Sequence, residues 1–495
     1  MNSKNKQNLR WYWAVFSILL VALTVIQYYG IVKYHYVAPA GDDPVNHYTY
    51  AKPFYDGTQG FLETWKSGSY PPLYHYTVAH IARTFNIDLL ATINWTYPSI
   101  IIFAALSIFI AVYFILGPIE ALIGFFLYGL TAKSSIQLLM DGGYPNLIAA
   151  HILLPLFVLF YAKIFLSKKL KQQIIFLFLS IFFALLIVLT HHISTFYLFG
   201  IIGLSLPFIV VWSWIYKGWR PVKGIFFSAL AIIFFATGIY TFFKTDLLAP
   251  VLALYRYGSA HFDPSGIWSI KSYPVSIGAT IALLGLIGTI ILVYKLVTSF
   301  KSDLAFKAIV ILSWLLLLFV GSRIKMANPE RMARDLVVPL TILAGFGVVY
   351  LARWIKIRWI KIILLLFLLT IVSIQLKSRI VKATRYEPMI RHTSANEEIM
   401  AFLSNKPGAI LTNQLDHYAP LLYSNRVFEY SFIDTVSPTY VKKFRYIIIT
   451  TRQDGWLPGN FHLGVYDNMS ALNFKKVGEF DSPINDLELF ERITP

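Results

Sequence analysis

TYPSIIIFAALSIFIAVYF, residues 96–114, runs for nineteen positions without a charge, and from Ile100 onward its only small polar residue is Ser107. At 1.5 Å per residue a helix of that length spans a hydrocarbon core about 30 Å thick. Comparable runs recur on both sides of it. Candidate spans fall at about 11–31, 93–115, 118–138, 145–166, 173–190, 194–215, 224–243, 273–294, 305–321, 336–353 and 361–376. The whole composition agrees: 57% of residues are hydrophobic and only 14% charged, against about 25% charged in soluble proteins. The sequence therefore predicts a polytopic α-helical membrane protein of about eleven spans. Collagen, disorder and a disulfide-stapled secreted fold are excluded. With no cysteine in the chain, any metal must be held by oxygen or imidazole.

A net charge of +18 raises the question of nucleic acid, and its distribution answers it. The amino terminus is basic at Lys4, Lys6 and Arg10, which places it in the cytoplasm by the positive-inside rule. The segments that then fall on the cytoplasmic side (4–10, 116–120, 163–171, 217–223, 295–307 and 353–361) hold 17 cations against Glu120 and Asp303, which is +15 of the +18. The basicity orients the protein in a bilayer and is no nucleic-acid footprint. Ala38-Pro39-Ala40 mimics a signal-cleavage site. The apolar run before it is of span length, however, so an anchoring first span is the expectation.

An odd number of spans leaves the segment from 377 to 495 extracytoplasmic. There charges return and apolar runs shorten to strand length. Ser394 and Glu397 have capping-box spacing ahead of Ile399, Met400 and Leu403. GAILTN (408–413), RVFEYSF (426–432), FRYIIITT (444–451), FKKVGEF (474–480) and LELFER (487–492) read as strands. The expectation is a transmembrane domain over 1–376, with a first outer loop at 32–92, followed by a small soluble α/β domain over 377–495.

The unusual polar clusters all fall on the extracytoplasmic side: GDDPVNHY (41–48), DGGYPN (141–146), THH (190–192), RYGSAHFDP (256–264) and NPERMARD (328–335). Long polar loops on one side suit chemistry at that surface better than passage of a solute, which needs polar sites near the midplane. Asp42 and Asp43 form a carboxylate pair able to bind a hard cation or to supply a general base, or else a solvated turn between Gly41 and Pro44. His191 or His192 offers an imidazole ligand, although neighbours on a helix point about 100° apart and seldom share one ion. Asp141 and Tyr144 sit in a Gly-Gly-Tyr-Pro turn that reads equally as a helix connector. Lys133 lies within the third span or at its outer end.

The acidic pair soon after the first span, the prolines of SYPPLYHYTVAHIARTFNID (69–88) heading an interfacial helix with apolar positions at Leu73, Tyr76, Val78, Ala79 and Ile81, and the Pro-Ser start of the second span occur in a fixed order. Together with ERMARDLVVPLTILAGFGVVYLA (330–352), they resemble the polyprenyl-phosphate-dependent membrane glycosyltransferases of the GT-C fold. Within these the sequence is most similar to the protein mannosyltransferase, aminoarabinose transferase and RgtA/B/C/D-like group.

That resemblance implies transfer of a sugar from a polyprenyl-phosphate donor to a lipid, glycan or protein acceptor at the outer face of the plasma membrane. Asp42, with Asp43 beside it, matches the acid that serves as base or as ligand of an assisting divalent cation such as Mg or Mn. Arg331 and Arg334, on the outer loop before the tenth span, are placed to meet the donor phosphate, or else snorkel or pair with Glu330 and Asp335; Arg256 and Lys133 are further candidates. Glu63, Tyr74 and His75 are candidates for the acceptor side or a second loop acid. The sequence departs from the group in carrying Trp95, Thr96 and Tyr97 where an arginine often precedes the Pro-Ser, and Tyr70 where a basic residue often precedes the two prolines. A transporter, which would need interrupted charged midplane spans, and a non-catalytic scaffold presenting the outer domain are the competing readings. An oligosaccharyltransferase would need a WWDYG-type motif, which DGW at 454–456 does not supply.

Overall fold

The computed structural model describes residues 3–34, 36–39, 43–67, 70–218, 220–243, 270–324, 329–355, 373–377, 392–412, 427–430, 437–453, 469–483 and 485–493, with single positions at 359, 366, 370 and 422. The membrane domain begins with α1 (Ser3–Tyr34), α2 (Asp43–Asp56), α3 (Phe61–Ser67), α4 (Leu73–Phe85), α5 (Leu89–Ile115), α6 (Pro118–Thr131) and α7 (Lys133–Met140). It continues with α8 (Tyr144–Leu166), α9 (Leu170–Thr190), α10 (His192–Lys217), α11 (Arg220–Phe243), α12 (Ser272–Ile277), α13 (Ala279–Thr298), α14 (Asp303–Gly321), α15 (Pro329–Asp335) and α16 (Val337–Trp354).

Among the described residues eight helices are long and apolar enough to cross a membrane, and α6 with α7 makes a ninth if that bent pair is one span. The expected third span is thus not one straight helix: it breaks at Ala132 and bends by 47°. The helix expected at 224–243 is present as α11, with a shorter apolar stretch at Phe227–Gly238. The expected eleventh span, 361–376, falls mostly outside the described residues.

Small residues let the spans approach closely. A Cβ added to Gly347 would lie 2.9 Å from the Gly288 backbone, and one added to Gly345 would lie 2.7 Å from the Glu120 carbonyl oxygen. The long span α16 is thereby pinned to α13 and α6 at backbone contact, a packing mode that suits a bilayer, where apolar burial gives little net drive.

Between the first two spans the polypeptide builds a cap. Asn86, left-handed at φ 52°, ends α4, and Asp88 starts α5 by accepting from the Ala91 backbone N–H at 2.9 Å. Helix α4 buries Tyr74, His75, Val78, Ala79 and Ala82 on one face. The expected face is thus turned: Tyr76 is 39% exposed, and two polar-tipped residues point inward. The aromatic packing of α4 on α2 causes this, because His75 finds a buried partner there.

The carboxyl-terminal region forms a five-stranded sheet of β1 (Ile410–Thr412), β2 (Phe428–Tyr430), β3 (Tyr446–Gln453), β4 (Phe474–Asp481) and β5 (Asn485–Arg492), in the order β2-β1-β3-β5-β4. β1 runs parallel to β2 and β3, and β5 runs antiparallel to β3 and β4. Alternation sends Tyr446 and Ile448 to one face, against Ile399 and Leu403 of α17 (Ser394–Leu403), and Ile447 and Ile449 to the other. This is the small α/β unit expected after the spans. Its helix cap is shifted by one residue: Thr393 and Asn396 form the capping box, not Ser394 and Glu397.

Candidate active site

The described polar loops meet at one end of the bundle, and 256–264 lies outside the described residues. Gly142 ends the turn after α7 at φ +75°, and a Cβ there would sit 2.5 Å from Asp43 Cβ and 2.6 Å from Pro44 Cδ. Only a glycine lets the DGG turn touch the first residues of α2 so closely. Asp43 itself lies at the α2 N-terminus, where the helix dipole favours an anion. Its neighbour Asp42 lies outside the described residues.

The contact is locked by imidazoles. His47 Nε2–H donates to the Gly142 carbonyl at 2.6 Å, so its Nδ1 accepts, and His75 Nε2–H donates to it at 2.9 Å. Burial dominates both rings: His47 is lowered to about 4, with Arg331 adding to the effect and the Gly142 hydrogen bond opposing it, and His75 is pushed well below its usual value by burial and by His47. Both are neutral at physiological pH, as that hydrogen-bond chain requires.

Tyr70, where the group often carries a cation, stands at the centre. Its ring lies 5.6 Å from His75, 6.1 Å from Tyr50 and His191 and 6.4 Å from His192. Burial pushes its hydroxyl up, with Arg331 opposing. Tyr74 packs edge-on to His47 at 5.4 Å, and its buried hydroxyl has no partner among the described residues. The expected acceptor-side pair Tyr74 and His75 therefore belongs to this cluster. Glu63 instead sits exposed on α3, where it accepts from the Gly60 N–H at 3.5 Å.

Cations enter from the short helix α15. The Arg334 guanidinium, 13% exposed, forms ion pairs with Asp141 and with Glu330. The other acid of α15, Asp335, turns its carboxylate into the core (1% exposed). Arg331 acts electrostatically on His47, Tyr70 and His191. Lys133 begins α7 beyond the break at Ala132, and Arg256 lies outside the described residues. His191 is buried and caps α10 through Ser194, its Nδ1 3.0 Å from the Ser194 hydroxyl, while its neighbour His192 is partly exposed.

A divalent cation finds no ready cage here. Among the described residues no three His, Asp or Glu side chains come together as ligands. His47 and His75 spend their facing nitrogens on each other, and Asp141 is engaged by Arg334. The residues missed from the sequence are Asp141, read as a connector, and His47. Adjacency of Asp141 to a double glycine was the available signal, but nothing local shows which turn another loop will touch.

This architecture, a bundle of spans capped by interfacial helices at the end where the acidic loops and arginines converge, is the GT-C fold. AglB, the oligosaccharyltransferase of Archaeoglobus fulgidus, solved with an inhibitory peptide and a dolichol-phosphate, superposes with a TM-score of 0.56 at 11% identity over 89% of this chain and 69% of its own. ArnT from Cupriavidus metallidurans, bound to undecaprenyl phosphate, gives 0.54 at 11% identity over 96% and 98%. The mycobacterial arabinofuranosyltransferase AftD gives 0.51 at 11% identity over 98% of this chain and 42% of its own. The AglB protein is also known in complex with Zn and sulfate. At such identities the likeness is one of fold. No protein-family profile matches the sequence, and no curated protein matches it.

Proposed function

We propose that this protein is a membrane glycosyltransferase, which moves a sugar from a polyprenyl-phosphate donor to a lipid, glycan or protein acceptor at the extracytoplasmic face. The observation that carries the reading is the close contact of Gly142 with Asp43 and Pro44, next to an Asp141 that is paired with Arg334 of α15. The fold shared with proteins solved with dolichol-phosphate and undecaprenyl phosphate supports it.

In this reading a first-loop carboxylate, Asp42 or Asp43, takes the proton of the acceptor hydroxyl or amine as that atom attacks the anomeric carbon. The bond from that carbon to the phosphate oxygen breaks, and its electron pair leaves with the polyprenyl phosphate. Arg331 meets the developing negative charge, and such preorganised cations are worth most where water is excluded. Arg334 holds Asp141 beside Asp43. The exposed ring of Tyr50, stacked on Tyr70, offers a face on which a sugar ring can stack. Among the described residues no three acids or imidazoles converge to hold a metal. A cation held with help from Asp42 would show as loss of activity on chelation.

The test is turnover of the purified full-length protein in nanodiscs, offered a panel of polyprenyl-phosphate sugars, with release of polyprenyl phosphate as readout. Asp42→Asn is expected to abolish release, since losing a general base costs about a hundredfold to ten-thousandfold, and Asp43→Asn to slow it less. Wild-type rates in both variants would remove catalysis from this pair.

A further inference from the structure

A buried acid on α15 takes no part in the transfer. Asp335 lies in the interior of the membrane domain, where an ionisable side chain is expensive unless it is partnered. Among the described residues three side chains donate to it. Asn146 Nδ2–H donates at 3.0 and 3.3 Å, His151 Nε2–H at 2.8 Å and the Tyr197 hydroxyl at 2.8 Å. With Nε2–H given to Asp335, the other nitrogen of a neutral His151 accepts from the Tyr128 hydroxyl at 2.6 Å.

The backbone is shaped for this. Asn146 and His151 are five residues apart, which in an α-helix sets them about 140° apart. Here α8 is π-helical from Leu147 to Leu153. Such a turn, bonded i to i+5, swings His151 back toward the side of Asn146, so that one carboxylate can receive both. A π-helical turn is a costly geometry for a span to adopt, and it serves the Asp335 contact directly.

Asp335 is also the last residue of α15. Only Leu336 separates it from α16, and the two run on as one 26-residue apolar helix, Pro329–Trp354, so α15 is the start of that helix, and helix ends fray unless something holds them. Ser134 Oγ–H donates to the Arg334 carbonyl at 3.0 Å and holds its backbone. The Asp335 side chain, held by Asn146 and His151 of α8 and by Tyr197 of α10, fixes where these first turns lie in the bundle. Released from it, they would shift or fray, carrying Arg331 from the His47 and Tyr70 cluster and Arg334 from Asp141.

We propose that Asp335 is a positioning residue whose clamp on Asn146, His151 and Tyr197 aims the α15 arginines at the phosphate of the lipid-linked donor. The proposal rests on the glycosyltransferase reading for the identity of that phosphate. Two measurements on the full-length protein in nanodiscs test it. The first compares binding of polyprenyl phosphate with binding of the uncharged polyprenol of equal length. Wild type should prefer the phosphate. Asp335→Asn should lose at least tenfold of that preference, and Tyr197→Phe, which removes a single donor, should lose a smaller part, with polyprenol binding kept in both. The second uses the absence of cysteine: a nitroxide on Glu330→Cys should be immobilised, and should gain a mobile component when Asp335→Asn is added.

Loss of preference together with a mobile label supports the clamp. An immobile label, an unchanged preference, or equal loss of polyprenol and polyprenyl phosphate binding in both variants overturns it and leaves the glycosyltransferase reading standing. A wild-type protein with no preference for the phosphate overturns both.

Discussion

Replacing Gly142 by alanine isolates the contact on which the site depends. The added methyl group would lie 2.5 Å from Asp43 Cβ, 2.6 Å from Pro44 Cδ and 2.9 Å from the Pro44 nitrogen, so the neighbours are backbone and stiff ring atoms that cannot step aside. Gly142 also has φ +75°, where an L side chain costs about 1–2 kcal/mol. Overpacking adds about 1–3 kcal/mol. Strain of about 2–5 kcal/mol is relieved if the DGG turn and the start of α2 part, which shifts the balance between touching and parted loops by about thirty- to several-thousand-fold. The His47 hydrogen bond to the Gly142 carbonyl is lost in the same movement. Turnover of a polyprenyl-phosphate sugar should therefore fall at least tenfold, while the spans stay folded and detergent-extracted protein remains monodisperse. Gly143→Ala is the control: its backbone has no positive φ, and its nearest neighbour, the Leu138 carbonyl oxygen, is 3.0 Å away. Gly142→Ala with the rate and apparent affinity of wild type would show that the two loops need not touch, and the proposed site would lose its first support.

Three further outcomes are expected. Arg334→Lys keeps a charge but cannot grip Asp141 and Glu330 in parallel, so initial rates should drop about ten- to a hundredfold; an unaltered rate would make Arg334 a surface tether only. His47 has a folded-state pKa of about 4, below its usual value of 6.5. Its neutral form therefore contributes stability in full above pH 6.5, and this is lost as the pH falls from 6.5 toward 4. Thermal unfolding of wild type should show that acid-side loss, and His47→Gln should flatten it; parallel curves would place the acid sensitivity elsewhere. A reporter fused after residue 495 should be active only outside the cytoplasm, and a cytoplasmic signal would reverse the side on which the acidic loops lie.

Much of this protein was legible from one dimension. A bilayer requires each crossing to satisfy its own backbone hydrogen bonds, so spans declare themselves as long apolar runs. The charge partition has the same local origin. Glu120 and Arg353, from two segments assigned to one side, approach to 3.8 Å. Even the strands of the small sheet followed from alternation, although their ends moved by up to two residues and the helix cap by one.

What the sequence could not settle was which loops touch. Whether Asp141 was a connector or a site acid depended on a glycine meeting Asp43 from ninety-nine positions away, and nothing in either segment encodes the other. The inward face of α4 was set by the imidazole that α2 offers to His75, not by the apolar periodicity. Asp335 follows an arginine and reads as its partner, yet the carboxylate turns away to Asn146, His151 and Tyr197. That choice requires a π-helical turn in a different span. Membrane insertion is decided residue by residue against lipid, and so the sequence alone determined the spans. A polar site is decided by which distant donors and acceptors can satisfy one another out of water, and only the tertiary structure brings those together.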